Sequence, residues 1–295
     1  MTTAADDNGD SNAAEDAVLD LESGIEQEIV LAISAGDLER VRELVAQLHF
    51  ADVADLLEHL HEDDRDTLIE AFQGVLDPDV FLELDERVRD ALVEKLGVAF
   101  VASVVSDMET DDAVQVIEEL EEHEQQQVLD TIPAGERSLI EEGLGYPEDS
   151  AGRLMQREVM TVPEFWNVGE TIDFLRQQAD EEEAGSEAGS LPNLFYDIFV
   201  VDPSYKPVGS VALSRLLRSR RPVAITAIMS SEMRLVQVAD DQEDVAYLFS
   251  QRDLVSAPVV DDDGRLVGVI TVDDIVDVIH EEHEEDIMRL GGVRE

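Results

Sequence analysis

Residues 199–215 read Phe-Val-Val-Asp-Pro-Ser-Tyr-Lys-Pro-Val-Gly-Ser-Val-Ala-Leu-Ser-Arg, and residues 258–274 read Pro-Val-Val-Asp-Asp-Asp-Gly-Arg-Leu-Val-Gly-Val-Ile-Thr-Val-Asp-Asp. The two stretches align at an offset of 59 residues, from Val200-Val201-Asp202 on Val259-Val260-Asp261 to Gly209 on Gly268. Farther upstream, Met155 and Val162 recur as Met229 and Val236 at an offset of 74. The first copy is longer by 15 residues, and its extra stretch includes Glu181–Ser190, rich in Glu, Ala, Gly and Ser with the composition of a flexible loop. A duplication of this size matters more than any single residue, because each copy buries its face against the other. Each copy reads β-α-β-β-α. Phe199–Asp202 and Pro258–Asp261 are short β-branched strands, Val208–Val211 and Leu266–Thr271 are second strands, and Asp263-Gly264 marks a hairpin turn. Helices are predicted over Leu213–Ser219 and Val272–Glu282.

A paired unit of this kind resembles tandem CBS domains over roughly residues 150–285. That resemblance implies an adenosine-nucleotide site in which a hydroxyl and a carboxylate of a Gly-x-Ile-Thr-x-x-Asp signature meet the ribose. Gly268, Ile270, Thr271 and Asp274 complete the signature in the second copy, whereas Ala212 and Arg215 stand at its key positions in the first. The alternative is structural: a hydroxyl at a strand end and a carboxylate in the first turn of a helix, favoured there by the helix dipole.

The N-terminal half differs in kind. From Gly24 to Gly143 apolar residues fall at helical spacing, as in Val41, Leu44, Val45 and Leu48 or Leu84, Val88, Leu92 and Leu96, with breaks about every dozen residues. This half repeats as well: Asp52–Leu60 aligns with Asp112–Leu120 at an offset of 60. Short helices capped by Asp and stacked in repeated pairs build an α-superhelix, an interaction module with nothing catalytic in it. The expected fold class is therefore α + α/β, an N-terminal α-superhelical domain followed by a tandem CBS-domain pair. The expected organisation is an acidic, disordered tail over 1–22, the superhelix over 23–143, and CBS domains over 144–222 and 223–295, the second carrying an acidic C-terminal helix.

Formal charge is −51, from 71 Asp and Glu against 20 Lys and Arg, and Lys95 and Lys206 are the only lysines. The bias runs through every segment, as expected for a protein adapted to a cytoplasm of molar salt, where a short Debye length quenches self-repulsion. It argues against nucleic acid as a partner, since binding phosphate needs a basic surface. The chain has no cysteine, which rules out disulfides and thiolate metal sites. No apolar run approaches the ~20 residues that span a bilayer, and the N-terminus lacks the pattern of a signal peptide. A cytoplasmic protein without direct membrane insertion is expected. Ser, His and Asp occur without any nucleophile elbow, so no enzyme is expected. His280 and His283 sit three apart without a third imidazole nearby and read as surface residues. Arg215, Arg218, Arg220 and Arg221 form the one dense basic patch, able to take a phosphate or an acidic head group, or to contact the acidic superhelix.

Several stretches resemble the cytosolic half of the MgtE family of magnesium channels. They are Ser150–Met155 with Phe165–Glu170, Asp241–Ala246, Arg252-Asp253-Leu254 leading to Asp261, and above all Ile270–Asp286 followed by Leu290–Val293. In that family the segment continues into a transmembrane pore, and this chain resembles the sensor without the channel. The resemblance implies cation sites at Asp107, Asp111, Asp241, Glu243, Asp253, Asp274, Asp277, Glu282, Glu285 and Asp286. Thr271 and Asp274 would be the nucleotide residues. Asp112 lies next to Asp111, which leaves the register on the helical side open. Charge alone allows a second view, a solvated acidic face. Along the last helix Asp273, Asp277, Glu281 and Glu285 recur every fourth residue, each like-charged pair costing about 0.2–0.5 kcal/mol unless a cation offsets it. Mg2+ takes oxygen ligands and keeps several waters, so spaced single carboxylates suit it. The function expected is a cytosolic Mg2+-sensing regulatory subunit, homodimeric through its CBS pair. It would close a separately encoded pore of the same family at the cytoplasmic face of the membrane, docking through residues 273–295. The rival is a free-standing CBS module that senses an adenosine nucleotide and recruits a protein.

Overall fold

The protein is described by a computed structural model covering residues 24–72, 76–183, 192 and 194–291. The expected acidic tail over 1–22 and most of the Glu181–Ser190 insertion lie outside the described residues. Two compact units divide the chain, one built from residues up to 108 with 116–132, the other from 109–115 with 133 onward.

The first unit is helical. It contains α1 (24–35), α2 (Leu38–Val45), α3 (Phe50–His59), α4 (Glu62–Ala71), α5 (Val80–Glu83), α6 (Glu86–Leu96), α7 (Val98–Ser106), the end of α8 (Thr110–Glu118) and α9 (Glu122–Thr131). Asp side chains start some of these helices: Asp37 accepts the Arg40 N–H at the head of α2, and Asp85 accepts the Val88 N–H at the head of α6. α2 packs on α4 and α7 on α9, the same pairing one repeat later. Val41, Leu57, Leu68, Phe81, Leu92 and Ile117 have no solvent-accessible surface, and they come from the apolar positions of the helical spacing.

The repeat extends to the polar atoms. Arg65 is buried and gives its Nε to the Leu57 carbonyl at 2.6 Å and one Nη to the Glu58 and Leu60 carbonyls at 3.2 and 3.1 Å. Sixty residues on, Gln125 donates from Nε2 to the carbonyls of Glu118 and Leu120 at 3.1 and 2.9 Å. Both side chains satisfy carbonyls that the end of a helix leaves without partners. Arg65→Ala is expected to cost about 2 kcal/mol in a denaturant titration, since several buried carbonyls lose a charged donor. Arg65→Gln, which copies the second repeat, should recover most of that stability. A glutamine variant as unstable as the alanine one would show that the arginine acts through its charge.

The second unit begins with the first turns of α8, continues through α10 (Ala134–Leu144) and α11 (Ala151–Leu154), and then folds as the two expected β-α-β-β-α copies. The first copy holds β1 (Thr161–Pro163), α12 (Val168–Glu183), β2 (Asp197–Val201), β3 (Pro207–Ala212) and α13 (Leu213–Arg218). The second holds β4 (Val236–Gln237), α14 (Gln242–Arg252), β5 (Ser256–Val260), β6 (Leu266–Thr271) and α15 (Val272–Gly291). α15 runs well past the predicted end at Glu282, and α12 takes in the first three residues of the insertion. In each sheet the first strand is parallel and the third antiparallel to the middle one. Each middle strand carries an irregularity at the same place, Val200/Val201 and Val259/Val260. The turns correspond too: Gly264 has φ +75° and its counterpart Tyr205, 59 residues earlier, has φ +63°. The second copy therefore fills a left-handed position with glycine and the first strains a tyrosine into it.

Alternation along β2 divides its side chains between two cores. Ile198 and Val200 enter the core of the first copy, while Phe199 and Val201 meet Leu266 and Val269 of β6 in a joint between the sheets. The segments that lead into each copy are exchanged. Met155 packs in the core of the second copy and Gln156 pairs with Val269, whereas Met229 packs on the first copy and Ser230 pairs with Ser210. Glycine makes these crossings possible. A Cβ at Gly268 would lie 2.5 Å from Met155 Sδ and 2.8 Å from the Gln156 carbonyl, and one at Gly209 would lie 2.8 Å from both Met229 Sδ and the Ser230 carbonyl.

Candidate functional site

The segment 155–158 ties the start of α8 to the rest of the second unit. With Met155 anchored in the core, the next three residues run past the start of α8. Gln156 Nε2 donates to Glu109 Oε2 at 2.5 Å, and Glu158 accepts both the backbone N–H and the hydroxyl of Thr110 at 3.2 and 2.6 Å. Arg157 makes a forked pair with Glu142 of α10, at 3.1 and 3.2 Å. These contacts fix the first turn of α8, and with it Asp111.

Asp111 is buried, with 9 % of its surface exposed, and its Oδ1 accepts the Asp112 N–H at 3.0 Å. Burial pushes its carboxyl well above the ordinary carboxylate range, and the charges of Asp274, Asp112 and Glu109 push it further. Asp274 stands in the first turn of α15, where its Oδ2 accepts the Thr271 N–H at 3.1 Å and the Thr271 hydroxyl at 2.7 Å. Burial raises its pKa to about 7 against those two hydrogen bonds, with Asp273 and Asp277 adding to the rise. Asp277, one turn on, is raised by burial and by Asp273, while His280 opposes the rise. Carboxylates that repel one another around a buried member are a place where a cation would be stabilising. Their all-oxygen donor set suits a hard ion that keeps its waters.

The remaining candidates are dispersed. Asp241 caps α14 by accepting the Glu243 N–H at 3.0 Å, and Glu282 of α15 lies beside that end of the helix, 3.5 Å from Gln242 Nε2. Asp253 sits at the other end of α14 in a left-handed conformation, φ +51°. Asp107 ends α7 in the helical unit. The side chains of Glu285 and Asp286, and of Glu281 in the acidic ladder, lie outside the described residues. Among the described residues no three His, Asp or Glu side chains come together as a metal-holding group. The candidates whose charges act on one another are Asp111, Asp274 and Asp277. Glu109, Thr110, Gln156 and Glu158, which hold the first turn of α8 at Asp111, carry no signal in the sequence. Their partners lie 47 or 48 residues away, and nothing local signals them.

The two candidate nucleotide half-sites differ as their sequences do. Thr271 is buried and its hydroxyl is committed to Asp274, while Ala212 heads α13 with no side-chain hydrogen bond. Arg215, at the position of Asp274, is exposed.

Comparison with known proteins separates a helical N-terminal part from a C-terminal CBS part. Residues 48–149 match the MgtE intracellular N domain and residues 225–281 match the CBS domain. The magnesium transporter MgtE of Thermus thermophilus is 28% identical over 265 residues, which cover 89% of this chain and 57% of that protein. MgtE of Bacillus subtilis is 26% identical, with 90% of this chain and 56% of the relative covered. The chain thus spans a little over half the length of these relatives. The crystal structure of the soluble part of a magnesium transporter superposes with a TM-score of 0.75 at 27% identity, covering 88% of this chain and 99% of that one. The cytosolic domain of the Mg2+ channel MgtE in complex with ATP gives 0.77 at 27% identity, covering 86% and 99%. No helix among the described residues is long and apolar enough to cross a membrane.

Proposed function

From a chain homologous to the MgtE magnesium transporters over 89% of its length, with an MgtE N domain and a CBS domain, we infer the Mg2+-sensing regulatory part of a magnesium transport system. The observation that carries this reading is the Asp111–Asp274 pair, one carboxylate buried and the other half-buried, each held by its own hydrogen bonds and raised in pKa by burial and by neighbouring carboxylates. Mg2+ binds there through one or two carboxylates and its own waters. Asp107, Asp241, Glu243, Asp253, Asp277, Glu282, Glu285 and Asp286 serve as further carboxylates on the surfaces that Mg2+ draws together. At low Mg2+ the acidic surfaces repel. At high Mg2+ ions bind the compact arrangement better and shift the population toward it, closing an MgtE-type membrane pore. The protein works at the cytoplasmic face of the membrane and pairs with itself through its CBS copies, where Tyr247 of α14 and Val276 and Ile287 of α15 expose 67, 46 and 68 % of their surfaces.

Small-angle scattering across an Mg2+ titration tests this. The radius of gyration should fall with millimolar Mg2+ and not with a monovalent salt at matched ionic strength. Equal compaction by both salts would replace specific binding with general screening.

A second ligand is supported by the ATP complex of the similar cytosolic domain. One adenosine nucleotide binds per chain, at Thr271 and Asp274, since Ala212 and Arg215 lack the hydroxyl and the carboxylate in the other copy. Calorimetry with ATP should give a single site that Thr271→Ala abolishes. Two equivalent sites per chain would refute the assignment.

A further inference from the structure

The basic patch at α13 and the turn after it gathers exposed arginines closely in sequence. Arg40, Arg89, Lys95, Arg157 and Arg221 all lie against carboxylates. The exposed guanidinium groups of Arg215, Arg218 and Arg220 have no hydrogen-bond or ion-pair partner among the described residues. α13 is held rigidly from behind. Leu216 is completely buried in the first CBS core, and the Leu213 N–H donates to the Tyr196 carbonyl at 2.9 Å. On its outer side Leu217 exposes 67 % of its surface next to Arg218, and at the strand end bonded to the head of the helix Tyr196 and Leu194 expose 39 and 55 %.

We propose that this face docks on an anionic bilayer surface, with Arg215, Arg218 and Arg220 at the lipid phosphates and Leu217 in the shallow boundary beneath them. A free phosphate or nucleotide would use the cations and leave the leucine in water. The exposed leucine and tyrosine beside the cations are what a membrane interface accommodates. The net charge of −51 does not forbid the contact, because a Debye length of about 8 Å at ~0.15 M salt, and about 3 Å at molar salt, screens distant carboxylates from the local patch. The surface goes beyond Mg2+ sensing and does not depend on it, so the two readings can fail separately.

The test is co-sedimentation of the full chain with vesicles of phosphatidylcholine alone or mixed with one third phosphatidylglycerol. It is run at physiological KCl with EDTA, so that Mg2+ cannot bridge acidic protein to acidic lipid. Binding is expected to the mixed vesicles only. The triple variant Arg215→Gln, Arg218→Gln, Arg220→Gln should weaken it on the order of a hundredfold, from roughly 1 kcal/mol per arginine near an anionic surface. Leu217→Ser should weaken it several-fold, and Arg176→Gln, an exposed arginine on α12, should leave it unchanged. Circular dichroism confirms that each variant is folded. Failure of the wild type to bind mixed vesicles, or equal binding by the triple variant, would overturn the proposal. So would displacement of the protein by polyaspartate together with an unaffected Leu217→Ser variant, which would point to an acidic protein partner instead.

Discussion

Mg2+ is expected to raise the thermal stability of the wild-type protein, and neutralising both Asp111 and Asp274 as Asn is expected to abolish that rise while making the metal-free protein more stable. Asparagine keeps the acceptor that Thr271 and the Asp112 N–H require, so the local hydrogen bonds survive. What disappears is charge that burial and neighbouring carboxylates make costly. At a hundred times its dissociation constant, Mg2+ should stabilise the wild type by about 2.7 kcal/mol and the double variant by close to nothing. The pH dependence carries a definite sign. Asp274 holds its proton up to about pH 7 in the folded protein, against an ordinary value of 3.8 in the unfolded chain. Between those limits the folded state binds more protons, so metal-free stability falls as pH rises through this window and is lowest above it. The fall should be shallower in the variant, and Mg2+ should stabilise the wild type more at pH 8 than at pH 6, since protons and the cation compete for the same oxygens. Scanning calorimetry of both proteins with EDTA or MgCl2 measures all of this. Unchanged Mg2+ stabilisation in the double variant would move the cation elsewhere.

The duplications were legible because they are local. A strand, a turn at Gly264 and a helix beginning after Thr271 are each written within a few residues, and so are the helical spacing and Asp caps of the first unit. Asp274 was visible for the same reason, as part of a compact signature. Several other acidic residues that read as ligands in a pattern turn out to have local work of their own. Asp241 heads α14, and Asp253 ends it in a left-handed turn. An acidic residue favoured by the end of a helix and one favoured by a cation look alike in sequence. The exchange of lead-in segments was not legible at all. Met155 and Met229 are equivalent by repeat, and nothing local says that each belongs to the other copy's core. The same long-range crossing carries Gln156 and Glu158 to Glu109 and Thr110, so the pieces that hold Asp111 in place were hidden with it.

That dependence makes Gly268→Val the most informative structural substitution. Gly268 lies in β6 opposite Val259, and a side chain there is ordinary for a strand. The obstacle is the crossing segment: even a Cβ would sit 2.8 Å from the Gln156 carbonyl, which is backbone and cannot swing aside as a side chain might. Two further methyl groups make accommodation impossible without moving residues 155–156 off the sheet. The Gln156–Val269 pairing would then open, and Met155 would leave a core position that is 2 % exposed. Overpacking of this kind costs about 1–3 kcal/mol, and the lost pairing and buried methionine take the expected total to roughly 4 kcal/mol. The effect should also reach the candidate cation site, because Gln156 and Glu158 hold the first turn of α8. Hydrogen exchange is expected to rise at 109–115 as well as at 155–158 and 267–270, and Mg2+ stabilisation should fall although no carboxylate has been altered. Gly209→Val, at the equivalent crossing of the first copy, supplies the control. It should cost a similar amount of stability, since Met229 and the Ser230 carbonyl are as close, yet leave exchange at 109–115 unchanged. If Gly268→Val destabilised the protein without loosening 109–115, the start of α8 would owe its position to contacts other than those of the crossing segment.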